Sequence, residues 1–232
     1  GGNELWRELY KPFNLIPVRG GNSGVQMFGW FNKEINSLED LQGLTMRIPS
    51  LGGEVFRRAG GVPVTMQVSE VFTALQTGAL DATEFVSPYN DLAAGYHTVA
   101  EYYYYPGWHE PGSTLETIFN KEKFESLPKD LQEILMAGTE IMNQMLLDEL
   151  MAKNNEALRV LVEEHGVQLR KLPNDVLTEL HRISEDVVSE MSSVDEQTAK
   201  VYESWKNFRD NVINYNRIAE EAFIEARNLP LN

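Results

Sequence analysis

Three charged side chains stand where their neighbours are apolar. Arg47 lies in TMRIPS between Met46 and Ile48, in a run that otherwise reads as a strand. A guanidinium held there at a cleft can fork onto a carboxylate through two parallel hydrogen bonds. The alternative is an edge-strand charge that points to solvent. Glu84 closes LDATEFV beside Phe85 and Val86, an awkward place for a carboxylate unless something pairs with it. Glu110 follows the aromatic run in YYYYPGWHEPG, where Pro106 and Pro111 stiffen the turn. Taken singly, either carboxylate is also an ordinary surface group. Together with Arg47 they suit recognition of a small acid; as an acid–base pair, Glu84 and Glu110 would suit glycosidase-like hydrolysis, although no sugar platform is evident.

Other chemistry finds little support. G-x-S-x-G, G-x-G-x-x-G, P-loop and H-E-x-x-H motifs are all missing from the sequence. Ser23 lies among glycines in GGNSGV, without the spacing of a nucleophile elbow. Of the four histidines, His165 is expected at a helix C-terminus and His181 on a charged helical face, while His97 and His109 are too isolated to argue for a metal cluster.

The elements that must position these residues fall into two regions. Over 44–119, apolar runs at 44–48, 62–66, 80–86, 99–105 and 114–119 read as strands. Helical patterns at 52–60, 69–78 and 87–95 separate the first four, each closed by a glycine placed to stop a helix: Gly60, Gly78 and Gly95. Strands joined by single short helices predict crossovers, hence a mainly parallel sheet and an α/β class. Strand ends in such sheets are where ligands bind, which is where Glu84 and Glu110 should project.

Beyond Pro128 the pattern is helical. Leu131, Ile134, Leu135, Ile141, Met142, Met145, Leu158 and Leu161 recur mostly at spacings of three and four up to Gly166. An unbroken helix of that extent is roughly 57 Å long, so it must run along two lobes or project toward another subunit. Further helices are expected at 174–191 and 195–227, the latter opened by a capping-box spacing from Ser193 to Glu196. Its aromatics Tyr202, Trp205, Phe208, Tyr215 and Phe223 are expected to pack mainly on the chain itself, with a dimer contact as the alternative.

Composition narrows the partners. A formal charge of -15 over 232 residues makes nucleic acid a poor one. No stretch approaches the roughly 18–20 apolar residues of a membrane span. Without cysteine there can be no disulfide, zinc-thiolate site or thiol nucleophile, which fits an oxidising compartment. The start at Gly-Gly-Asn suggests a removed signal or a fragment.

Three segments, GNSGVQMFGWFNKEINSLEDLQGLTMRIP (21–49), EVFTALQTGALDATEFVSPYNDLAAGYHTVAEYYYYPGWHEPG (70–112) and LPKDLQEIL (127–135), resemble the DctP-type solute receptors of tripartite ATP-independent periplasmic (TRAP) transporters. The likeness is strongest to the branch that takes 2-oxo or 2-hydroxy acids of the pyruvate or lactate type. It implies a two-lobed α/β binding protein of periplasmic type II, with a long lobe-spanning helix, C-terminal helices and an incomplete first lobe, about the first third of the family's chain being absent. It implies a periplasmic location, TRAP membrane subunits as partners, no enzymatic activity, and a homodimer through C-terminal helices. The corresponding divisions are 1–24 (first-lobe remnant and crossover strand), 25–112 (ligand-binding α/β lobe), 113–192 (crossover strand, long helix and return) and 193–232 (helical tail).

By the same resemblance Arg47, Gln26 and Glu110 touch the substrate. Gln26, Glu84, the backbone oxygen of Phe85 and Glu110 ligate a Ca²⁺ or Na⁺ ion. Phe85 departs from relatives that carry asparagine or tryptophan there, which speaks against a sialic-acid ligand. Charge counting agrees with a cation. Arg47, Glu84, Glu110 and a bound monocarboxylate leave two negative charges, untenable in a closed cleft, and oxygen ligands suit a hard ion, Ca²⁺ by a small margin over Na⁺. A helical interaction module with a scaffolding α/β part is the remaining alternative.

Overall fold

The computed structural model describes residues 1–230, and the last two residues of the 193–232 tail lie outside the described residues. The chain runs α1 (Gly2–Tyr10), β1 (Leu15–Asn22), β2 (Gly29–Phe31), β3 (Thr45–Arg47), α2 (Ser50–Arg58), β4 (Val62–Val64), α3 (Val68–Thr77), β5 (Ala82–Thr83), α4 (Pro88–Ala94) and β6 (Tyr102–Tyr105). It continues through β7 (Thr114–Asn120), α5 (Lys121–Glu125), α6 (Lys129–Arg159), β8 (Gln168–Lys171), α7 (Asn174–Met191), α8 (Glu196–Asn216) and α9 (Ala222–Arg227).

Six strands form one sheet in the order β4-β3-β5-β2-β6-β8. The expected mainly parallel sheet is found, with one reversed strand that the sequence pattern did not show. β3 runs parallel to β4 and β5, and β6 parallel to β8, but β2 is antiparallel to both β5 and β6. The parallel pairs are those linked through helices. β2 arrives from β1 through a loop and is free to enter in the opposite sense. Its three residues are all buried, too short a run for alternation to mark it. β8 was likewise not anticipated, being only four residues with two cationic side chains.

Both faces of the sheet are covered. Phe31, Met46 and Tyr104 point into one cluster with Phe56 of α2 and the Val176, Leu180, Ile183, Val187 stripe of α7. Their neighbours Trp30 and Tyr103 point the other way, stacked at 4.2 Å, into a cluster with Val71 and Leu75 of α3 and Leu161. Successive strand residues facing opposite sides are the period-two rule at work. Gly78 and Gly95 end α3 and α4 in the left-handed conformation, as their positions predicted.

β1 and β7 form a separate antiparallel ladder, irregular between Arg19 and Gly21, and α6 packs along β1. A Cβ on Gly20 would lie 2.1 Å from Thr117 Oγ1, so this crossing requires glycine. A turn of π-helix at Val160–Glu164 carries α6 on to His165, confirming one long helix. Much of its expected apolar stripe is nevertheless exposed, including Ile134, Ile141, Met142 and Met145, whereas Leu150 and Ala157 are buried.

Two expectations for the tail fail. α8 is capped by Asp195, whose carboxylate accepts from the Thr198 N–H, so Ser193 and Glu196 form no capping box. The shorter Asx cap puts the acceptor directly before the first free N–H groups. The aromatics do not bury themselves on the chain either. No described residue of α8 is buried, and Trp205, Phe208, Tyr215 and Phe223 are exposed. The neighbours available to α8, α1 and α7, are too few to cover it. No helix among the described residues is long and apolar enough to cross a membrane.

Candidate functional site

Parallel strands β3 and β5 end side by side, and their ends bring Arg47 and Glu84 together. The Glu84 N–H donates to the Arg47 carbonyl at 3.1 Å, extending the ladder one residue past β5. Glu84 thus follows the strand rather than closing it, because regular pairing stops at Thr83. The Arg47 guanidinium donates through Nη1 to Glu84 Oε1. Their side chains are 17% and 4% exposed, so the carboxylate is deep and the guanidinium reaches toward the surface. A charge this deep is tolerated because it is paired.

Three loops converge beside this pair. The Gln26 backbone donates to the Pro111 carbonyl and accepts from the Gly107 N–H, while the Met27 N–H donates to the Val86 carbonyl. Gly107 is required here, since a Cβ would stand 2.6 Å from the Gln26 oxygen. Segment 23–27 is therefore laced to the 84–86 and 107–113 turns. The Gln26 side chain is fixed as well. Its Nε2 donates to Ser23 Oγ at 2.9 Å, and that hydroxyl also accepts from the Ser113 N–H at 2.8 Å. Gln26 Oε1 is buried and has no hydrogen-bond partner among the described residues. Native interiors rarely leave such an acceptor idle. An amide oxygen held in this way, on a segment laced to the turn that carries a buried carboxylate, has the chemistry that fits a hard cation.

Glu110 is half-buried within the same turn. No three histidine, aspartate or glutamate side chains among the described residues lie close enough to hold a metal, so Glu84, His109 and Glu110 do not form a carboxylate–imidazole cluster. Phe85 turns its ring edge-on to Tyr96 at 5.3 Å, into the second core cluster.

Sequence reasoning missed two members of this region. His109, set aside as isolated, has Nε2 3.5 Å from Glu84 Oε2. Asp91 went unnoticed in α4, yet it is fully buried and accepts from Trp30 Nε1, the Tyr103 hydroxyl and the Val86 N–H. It ties the 84–86 turn to the sheet. Burial raises its carboxyl to about 7, against the opposing effect of those three donors. The WHE triplet and an aspartate among the apolar residues of α4 were the available signals. Away from the site, His97 is not isolated either: its ring lies 4.2 Å from that of His165, which sits at the end of the long helix as expected.

Residues 2–195 match the family described as bacterial extracellular solute-binding protein, family 7, or DctP. The chain is 40% identical over 223 residues to the monocarboxylate 2-oxoacid-binding periplasmic protein of Nostoc sp., covering 96% of this chain and 61% of that protein. It thus spans about three fifths of that relative's length. It is similar to a TRAP periplasmic solute-binding protein from Pseudoalteromonas atlantica with bound sodium and pyruvate, at 37% identity and a TM-score of 0.92, covering 97% of this chain and 68% of the other. A TRAP solute-binding protein from Bordetella bronchiseptica, a mixed-occupancy dimer with copurified calcium and picolinate, matches at 35% identity and a TM-score of 0.93, over 98% and 67% of the two chains. The mixed α/β architecture is that of these binding proteins, and the chain belongs to the DctP family of bacterial extracellular solute-binding proteins.

Proposed function

We propose that this chain provides the carboxylate-and-cation side of a periplasmic receptor that binds a small 2-oxo or 2-hydroxy monocarboxylate together with Ca²⁺ or Na⁺ and delivers it to TRAP membrane subunits. The observation that carries the reading is Arg47 beside the buried Glu84, with the idle Gln26 oxygen on a loop laced to the 84–86 turn. Arg47, at the more open end of the pair, is the anchor for the ligand carboxylate. Gln26 Oε1, Glu84, the Phe85 carbonyl and Glu110 offer oxygens to the cation, with Gln26 and Glu110 also facing the acid. The bound cation would offset the excess negative charge and bridge the ligand's oxygens to the protein. Relatives that hold sodium with pyruvate and calcium with picolinate support this pairing. A family of solute-binding proteins gives no support to an acid–base enzyme.

Calorimetry with pyruvate, with and without Ca²⁺, tests the reading. Acid affinity should fall on exhaustive chelation and return with Ca²⁺, and pyruvate should tighten Ca²⁺ by the same factor, as linkage requires. Equal affinity with and without metal removes the cation; absence of acid binding in both conditions removes the receptor.

The receptor is further proposed to be a homodimer held by its tail, with 1–24, 25–112, 113–192 and 193–232 as its working divisions. The unburied aromatic face of α8 and the exposed stripe of α6 support a second copy as the missing cover. Ending the chain after Met191 should convert a dimer into a monomer in light scattering while the sheet's circular dichroism persists. A monomer with the tail intact at micromolar concentration contradicts the dimer.

A further inference from the structure

His109 is the one histidine whose ring is sealed inside the site. Its side chain is 3% exposed, and both ring nitrogens are buried without a hydrogen-bond partner among the described residues. The rings of Phe28 and Trp108 lie 5.6 and 5.8 Å away, and a Cβ on Gly52 of α2 would come within 3.2 Å of His109 Cβ. The imidazole is thus boxed in on several sides and has few rotamers to choose from. If its only task were to fill this box, a phenyl ring would serve without burying two polar atoms.

The nearest acceptor decides what the imidazole does. Nε2 stands 3.5 Å from Glu84 Oε2, about half an ångström beyond an ordinary N–H···O bond. Arg47 already takes the other oxygen, Oε1. A proton on Nε2 would face this carboxylate, and no other acceptor is bonded to that nitrogen among the described residues.

We infer that His109 is a positioning residue, whose Nε2–H holds Glu84 Oε2 while Arg47 holds Oε1, so that the carboxylate presents its remaining lone pairs to the cation in one fixed orientation. This rests on the cation site proposed above. Carboxylate ligands are commonly held in this way from behind, and loss of such a partner weakens metal binding about 10–100-fold.

Terbium(III), a hard Ca²⁺ substitute sensitised by the neighbouring Trp108, supplies the probe, with Ca²⁺ as competitor. His109→Phe keeps the packing and loses the donor, and should weaken Ca²⁺ about 10–100-fold. His109→Gln places an amide N–H near the Nε2 position and should restore most of that loss. His109→Asn, whose amide is too short to reach Glu84, should not. Thermal unfolding separates binding from folding. Should His109→Phe misfold, the Gln–Asn contrast still decides. Wild-type affinity in His109→Phe, or equal affinities for the Gln and Asn variants, overturns the role. If the wild-type chain binds neither Tb³⁺ nor Ca²⁺, the cation site itself is wrong and this inference fails with it.

Discussion

Arg47→Ala is expected to abolish measurable acid binding at ordinary titration concentrations. Removing one partner of a buried, hydrogen-bonded charge pair costs about 2–5 kcal/mol, which is roughly 30- to several-thousand-fold in affinity. The loss has two parts in this structure. On the proposed reading the ligand carboxylate would lose its fork, and Glu84, only 4% exposed, loses the guanidinium that makes its burial tolerable. The second part should also lower stability, so calorimetry with pyruvate in Ca²⁺ is best read beside a melting curve. Arg47→Lys should recover little of the affinity, because an ammonium cannot make the planar two-bond contact. Unchanged pyruvate affinity in Arg47→Ala would mean that the acid is anchored elsewhere.

The second large effect is a dependence of stability on pH through Asp91. Its folded-state carboxyl is raised to about 7 by burial, whereas an unfolded aspartate titrates near 3.9. A raised value means that the folded protein holds the proton more tightly than the unfolded chain. The contribution is therefore complete below about pH 4, declines as pH rises, and is gone above about pH 7. At about 1.4 kcal/mol per unit, the full span is on the order of 4 kcal/mol. Between pH 8 and pH 5 the wild type should gain about 2–3 kcal/mol relative to Asp91→Asn, which has no proton to exchange. Urea unfolding of both proteins at the two pH values isolates the difference from every other titrating group. Parallel pH profiles would show that Asp91 stays ionised on its three donors.

Helices were the more legible part of the fold. The 174–191 helix has the same limits in the structure as its periodicity predicts, because four apolar residues at helical spacing meet one face of the sheet. Strand identity was harder. β2 and β8 are three and four residues long, and neither length gives a periodicity to read. Without β2 in view, the antiparallel centre of the sheet stayed hidden. Within the site, Arg47 and Glu84 were legible because a charge among apolar residues demands a partner, and each is the other's. His109 and Asp91 were not. An imidazole after a tryptophan and a carboxylate in a helix are unremarkable in one dimension. Their roles depend on contacts with segments far along the chain: Asp91 with Trp30, and His109 with Glu84. The tail was misjudged for the opposite reason. Its aromatic pattern was plain, but a pattern reports that a face needs covering without saying by what.

The position of β2 bears on how the protein is made. Among the described residues it precedes the other five strands of the sheet, yet it occupies an interior place, with Trp30 paired to Thr83 on one side and Tyr103 on the other. Neither neighbour exists until much later in translation, and β6 must then wait for β8, beyond the long helix. Pairings so distant along the chain require large loops to close before any contact rewards them, which slows folding. The nascent GWF segment therefore emerges with its indole and phenyl rings unprotected, and the Arg47–Glu84 pair cannot form until β5 docks. On this topology the sheet around β2 cannot be completed until β8, beyond the long helix, has been made.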